Sequence, residues 1–153
     1  MLARRMMMAA AGVGGGAGYI YCGHDGSNPL KDTDEYTPDT WANKTNAPDP
    51  ARRYLAASTI GSAGYIYCGY DGSYYKDTDE YTPDTWASKT SAPDPARNSL
   101  AASTIGSVGY IYCGYDGSNL LKDTDESTPD TWASKTSAPN PTRYYLAAST
   151  IGG

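Results

Sequence analysis

One histidine, three cysteines, three carboxylate clusters and a recurring arginine are the side chains of this chain best suited to chemistry. The thiols, Cys22, Cys68 and Cys113, are 46 and 45 residues apart. Three thiols cannot all pair within one chain, and no C-x-x-C spacing offers a metal knuckle. They read as one small buried thiol per structural unit, and unpaired thiols lean toward a reducing, cytoplasmic compartment. His24 is replaced by Tyr70 and Tyr115 at matching places, which excludes a repeated histidine base. The clusters Asp32-Asp34-Glu35, Asp77-Asp79-Glu80 and Asp123-Asp125-Glu126 carry oxygen ligands of the kind calcium takes. No glycine-centred calcium loop surrounds them, so they read as solvated strand edges that resist sheet-to-sheet aggregation. Arg52, Arg97 and Arg143 each follow a proline by two residues. They are either clamps on neighbouring backbone or carboxylate, or a ring of cations reading an acidic ligand at one mouth. With no nucleophile–base pair and no phosphate loop, the chain is expected to be non-catalytic, without cofactor or metal.

Recognition is the better prospect. The chain holds 15 tyrosines, 3 tryptophans and no phenylalanine. Exposed tyrosine supplies contact area at low entropic cost. The best surface candidates lie in and around three Asp-Gly-Ser turns. They are His24 and Asp25, then Tyr70, Asp71, Ser73, Tyr74 and Tyr75, then Tyr115 and Asp116. A formal net charge of −5 argues against a nucleic-acid partner. No run of 18 apolar residues provides a membrane-spanning helix.

What positions these residues is a unit written three times, at 18–63, 64–108 and 109–153. Each copy opens with Gly-Tyr-Ile-Tyr-Cys-Gly, continues through Lys-Asp-Thr-Asp-Glu and Thr-Pro-Asp-Thr-Trp, and closes with Leu-Ala-Ala-Ser-Thr-Ile-Gly. The second copy is one residue shorter, between Ser73 and Lys76, so that stretch reads as a loop. Scarce Glu and Leu and no 3.6-residue periodicity exclude a helical repeat. Four strands per copy are expected, exemplified by 55–60, 64–69, 77–81 and 86–91. The expected fold is all-β: four-stranded wedges converging as propeller blades, with the small residues Ala56, Ala57, Ser58 and Thr59 nearest the axis. Residues 9–16 align with Leu55 to Ser62. Residues 1–17 therefore read as a decayed inner strand or a disordered terminus rather than a secretory signal.

The combination resembles the kelch repeat. The residues that carry the likeness are Arg97, Leu100 to Ile105, Tyr110-Ile111-Tyr112-Cys113-Gly114, Asp125-Glu126 and Trp132, and the match runs over 18–153. Cysteine stands where the family has the first of two glycines. The tyrosine-to-tryptophan spacing is two residues short, and Ser127 replaces the tyrosine in the third copy. The resemblance implies a protein-interaction scaffold that engages a protein or peptide through rim loops. A carbohydrate-binding or sugar-modifying propeller is the alternative, as is a fragment of a longer kelch protein. Copper-radical oxidases with kelch blades need several histidines, and this chain has one. Three blades cannot close a ring that takes four to eight. A homodimer completing a six-bladed ring is the expected remedy, since two-fold symmetry is the commonest closure.

Overall fold

A computed structural model describes residues 16–151; of the reading for 1–17, residues 1–15 lie outside the described residues. The described residues form three antiparallel sheets. The first contains β1 (Gly18–His24), β2 (Pro29–Thr37) and β3 (Thr40–Asn43). The second contains β4 (Ala56–Ile60), β5 (Ala63–Tyr70), β6 (Tyr74–Thr82) and β7 (Thr85–Lys89). The third contains β8 (Ala101–Ile105), β9 (Val108–Tyr115), β10 (Leu120–Thr128) and β11 (Thr131–Lys135). Strand order follows chain order in every sheet, so each is a meander. Among the described residues no helix is long and apolar enough to cross a membrane.

Local sequence accounts for each hairpin. Gly61-Ser62 joins Ile60 to Ala63 in a two-residue turn. Pro83-Asp84 joins Thr82 to Thr85, with Asp84 at a φ of 61°. Proline at the first turn position and a short polar side chain at the second suit a turn that requires positive φ there. The Tyr81 hydroxyl accepts from the Asp84 amide at 3.0 Å, which holds that conformation. Cys68 stands at a φ of 61° beside the register shift between Tyr67 and Gly69, and Cys22 and Cys113 repeat the conformation. The thiol unit is therefore a β-bulge that keeps a non-glycine residue in a left-handed conformation, a cost of about 1–3 kcal/mol.

The third strand starts earlier than the sequence implies. Tyr74 and Tyr75 belong to β6, so the variable stretch is the strand's first residues and the loop shrinks to Asp71–Ser73. The fourth strand ends at Lys89 rather than Ser91.

Sheets stack through apolar faces. Tyr19 and Tyr21 of the first sheet meet Tyr81 of the second, and Tyr21 also meets Trp86 edge-on. Tyr67 of the second meets Trp132 of the third in the same way. Bare backbone permits the approach: a Cβ on Gly109 would stand 2.6 Å from the Tyr67 hydroxyl, and one on Gly64 would collide with the Tyr21 hydroxyl. Ser58 and Ser103 tie the ends of Tyr67 and Tyr112 at 2.9 Å. Two of the three tryptophans reach back one unit, Trp86 Nε1 donating to Thr45 O and Trp132 Nε1 to Thr90 O, both at 2.9 Å.

The carboxylates of the third strands do not all behave as solvated edges. Asp79 and Asp125 are buried. Arg52 Nη2 pairs with Asp79, and Arg97 Nη2 with Asp125 at 3.1 Å. Asp79 opposes Ile66 in the β5–β6 register and lies on the face turned to the first sheet, where Arg52 meets it, while Glu80 opposes Tyr65 on the other face and pairs with Lys89. Arginine from one unit thus locks onto the carboxylate of the next, the clamp that the proline-flanked position suggested.

Candidate functional site

The segment between the Pro-x-Arg stretch and each inner strand is fixed by backbone pairing. Arg53 exchanges two hydrogen bonds with Tyr70, at 3.0 and 2.9 Å, and Asn98 does the same with Tyr115. The next residue in each unit, Tyr54, Ser99 or Tyr145, takes a φ of 52–58°. The Ser99 amide donates to Tyr54 O at 2.7 Å and the Tyr145 amide to Ser99 O at 2.9 Å. These three residues therefore line up across the three units. Ser99 is small and buried, so the Tyr54 and Tyr145 rings meet edge-on at 5.7 Å.

Around this row stands an arc of aromatic rings. Tyr145 packs on Tyr144 at 4.5 Å, Tyr144 on Tyr115 at 6.1 Å, Tyr115 on Tyr74 at 6.0 Å and Tyr74 on Tyr70 at 5.0 Å. The Arg53 guanidinium closes the loop, 5.6 Å from the Tyr70 ring and 5.1 Å from the Tyr54 ring. Separations of this size are those at which aromatic pairs and cation–π pairs gain energy beyond area burial. Tyr54, Tyr144 and Tyr145 remain exposed. Gly117 seats the centre of the arc: its φ is 98°, and a Cβ there would stand 2.8 Å from the Tyr74 ring. Packing raises the Tyr74 phenol above its ordinary pKa, chiefly by desolvation. Arg53 Nε is buried without a hydrogen-bond partner.

Of the candidates named from sequence, Tyr70, Tyr74 and Tyr115 come together here. Tyr75 points elsewhere. Its hydroxyl donates to Asp71 Oδ2 at 2.9 Å, and that bond is the main reason its pKa is raised. Asp71 Oδ1 accepts the Ser73 amide at 3.0 Å. Asp25 accepts the amides of Ser27 and Asn28, and Asp116 those of Ser118 and Asn119, so both carboxyls are held below their ordinary range. His24 Nδ1 accepts the Gly26 amide at 3.0 Å. These acids and the histidine hold their own turns. Arg52 and Arg97 are 1% and 0% exposed and already paired, so neither faces a ligand. Arg143 is exposed and donates only to the backbone of Pro139 and Pro141, both at 3.3 Å.

Residue reading from sequence missed Arg53, Tyr54, Tyr144 and Tyr145. A signal existed: the pair after each repeated arginine varies as Arg53-Tyr54, Asn98-Ser99 and Tyr144-Tyr145 between near-identical copies. The thiols are not poised for chemistry. Burial lifts Cys22 to about 11 and Cys68 to about 12 and also raises Cys113, so all three stay protonated at neutral pH. Among the described residues no three His, Cys, Asp or Glu side chains converge as metal ligands. No protein-family model matches the chain, and no curated protein matches it.

Proposed function

We propose that the three sheets are consecutive blades of a kelch-like propeller and that the chain is a non-catalytic scaffold binding a protein or peptide segment on the tyrosine arc. The observation that carries the reading is the arc itself: six tyrosines and Arg53 gathered from three units onto one surface. Rigid aromatic faces with hydroxyl tips bind extended chains at little entropic cost. Arg53, half-exposed and held between the Tyr54 and Tyr70 rings, sets a guanidinium beside the arc for a peptide carbonyl or carboxylate. The carbohydrate reading keeps the same aromatic faces but loses its acids, because Asp25, Asp71 and Asp116 are spent on local bonds.

Panning the full chain against a random peptide display library tests the reading. Peptides should be enriched, and Tyr74→Ala should weaken the selected peptides at least about tenfold, as for an aromatic anchor. Enrichment that survives both Tyr74→Ala and Tyr115→Ala would place binding elsewhere. Binding on a glycan array with no peptide enrichment would favour the sugar reading.

A further inference from the structure

The contacts that join the sheets recur with the unit, and among the described residues each of them is half made at the first and third sheets. The outer face of the first sheet carries Ile20, 54% exposed, with Tyr36 and with Trp41, 60% exposed. The same face of the second sheet is covered, with Ile66 0% exposed. In the third sheet, half-exposed Tyr110 and Tyr112 line a face that no other sheet among the described residues covers. A cleft of about 260 Å³ lies there among Ser103, Tyr112, Cys113, Pro139, Arg143 and Leu146.

Each clamp names its missing partner. Arg52 takes Asp79 and Arg97 takes Asp125. Among the described residues Arg143 has no carboxylate and Asp34 no arginine. Trp86 and Trp132 each donate to a threonine carbonyl of the preceding unit. Trp41 lacks such an acceptor among the described residues, and Thr136 occupies the matching place after Lys135. Lys44 reaches Asp84 at 3.9 Å and Lys89 reaches Asp130 at 3.8 Å. Lys135 and Asp39 stand at the equivalent unfilled positions.

The backbone is half made as well. Among the described residues β1 pairs only with β2, whereas β5 and β9 each have an inner strand, β4 or β8. A groove of about 260 Å³ runs beside Tyr19 and Tyr21 where that strand would lie. The terminal segment Leu146 to Ile151 repeats the sequence of β4 and β8 with their preceding leucines. It already stands beside β8 as β8 stands beside β4. Thr150 Oγ1 donates to Thr104 O as Thr104 Oγ1 donates to Thr59 O. Among the described residues no strand pairs with it.

We propose that these two ends are the halves of one interface, and that a second copy of this chain docks head to tail and closes after two copies. The terminal segment of each copy then adds to the β1 edge of the other. By the register of β4 on β5, Ala147 faces Tyr21 of the partner subunit and Ser149 faces Tyr19 of the partner subunit. Arg143 meets Asp34 of the partner subunit, and Trp41 reaches Thr136 of the partner subunit. Each junction is head to tail and a two-fold axis relates the two junctions, so a closed pair uses both ends of both copies and leaves no open edge.

Sedimentation of the full chain tests the proposal, with a charge exchange to identify the contact. Wild-type protein should run at twice the 16.3 kDa of one chain. R143D alone and D34R alone each set like charges against one another, and each should raise the dissociation constant about a hundredfold or more. An equimolar mixture of the two restores opposite charges at both junctions and should recover the two-chain mass. Arg143 is exposed and Asp34 half-exposed in the single chain, so neither change touches a buried pair. A wild-type chain that stays monomeric at every concentration overturns the proposal. A ladder of masses above two chains overturns closure by two, and failure of the mixture to reassociate overturns the Arg143–Asp34 contact.

Discussion

The first and second sheets share nearly the same sequence and differ in almost everything physical. Gly-Tyr-Ile-Tyr-Cys-Gly forms β1 in one and the body of β5 in the other. β5 is buried along most of its length, while β1 is exposed or half-exposed throughout. β5 has an inner neighbour and a sheet against each face; among the described residues β1 has neither that neighbour nor the second sheet. Burial, and with it the energetic weight of a residue, is therefore set by a unit's place in the row and not by its own sequence. An isolated unit would bury almost none of the faces that hold the row together.

Paired substitutions can break or sharpen this contrast, read by chemical unfolding at concentrations too low for copies to associate. The largest effect is expected at the clamp. Asp79→Ala strands the buried Arg52 charge and should cost about 3–5 kcal/mol, whereas Asp34→Ala should cost under about 1 kcal/mol. Equal losses would mean that Asp34 has a buried cation partner of its own. Next comes the apolar face. Ile66→Ala should cost about 3 kcal/mol through lost burial and a residual cavity, and Ile20→Ala only a few tenths, as for a surface change.

Thiol labelling gives a smaller, kinetic difference. Cys22 is half-exposed while Cys68 and Cys113 are buried. A maleimide at neutral pH should reach Cys22 first and the other two only on unfolding. Labelling should quicken as pH rises toward about 11 for Cys22. Cys68 labelling as fast as Cys22 would show that the second sheet opens locally.

The smallest effect belongs to the turns. Asp25 and Asp116 have folded-state pKa values below the ordinary one, first through the amides of Asn28 and Asn119. Their contribution is present above the unfolded carboxylate pKa and is lost as pH falls through the lowered one. The amides of residues 27, 28, 118 and 119 should thus lose exchange protection only below about pH 4. Loss well above that value would show that the carboxylates do not hold the turns.

Much of the strand plan was legible because it rests on local signals. Alternation in Tyr65-Ile66-Tyr67-Cys68, the Pro83-Asp84 turn and the repeat itself placed most strands within a few residues. The burial of Asp79 and Asp125 was not legible. Pattern alone put them with their exposed neighbours, and only the stacking of one sheet on the next brings an arginine from 27 or 28 residues away to neutralise them. The tyrosine arc was half legible. Tyr70, Tyr74 and Tyr115 flank recognisable turns, but Tyr54, Tyr144 and Tyr145 join them through backbone pairing between distant segments and a positive φ, neither of which is written in composition.

The arginine clamp has an evolutionary consequence. Its two charges belong to successive copies, so the segment that is duplicated and the segment that is stabilised are out of phase. Recombination that inserts or removes one whole copy adds or deletes one complete junction and leaves every other unchanged. Such a chain can lengthen or shorten in steps without any compensating substitution, because every copy brings one carboxylate for the arginine before it and one arginine for the carboxylate after it.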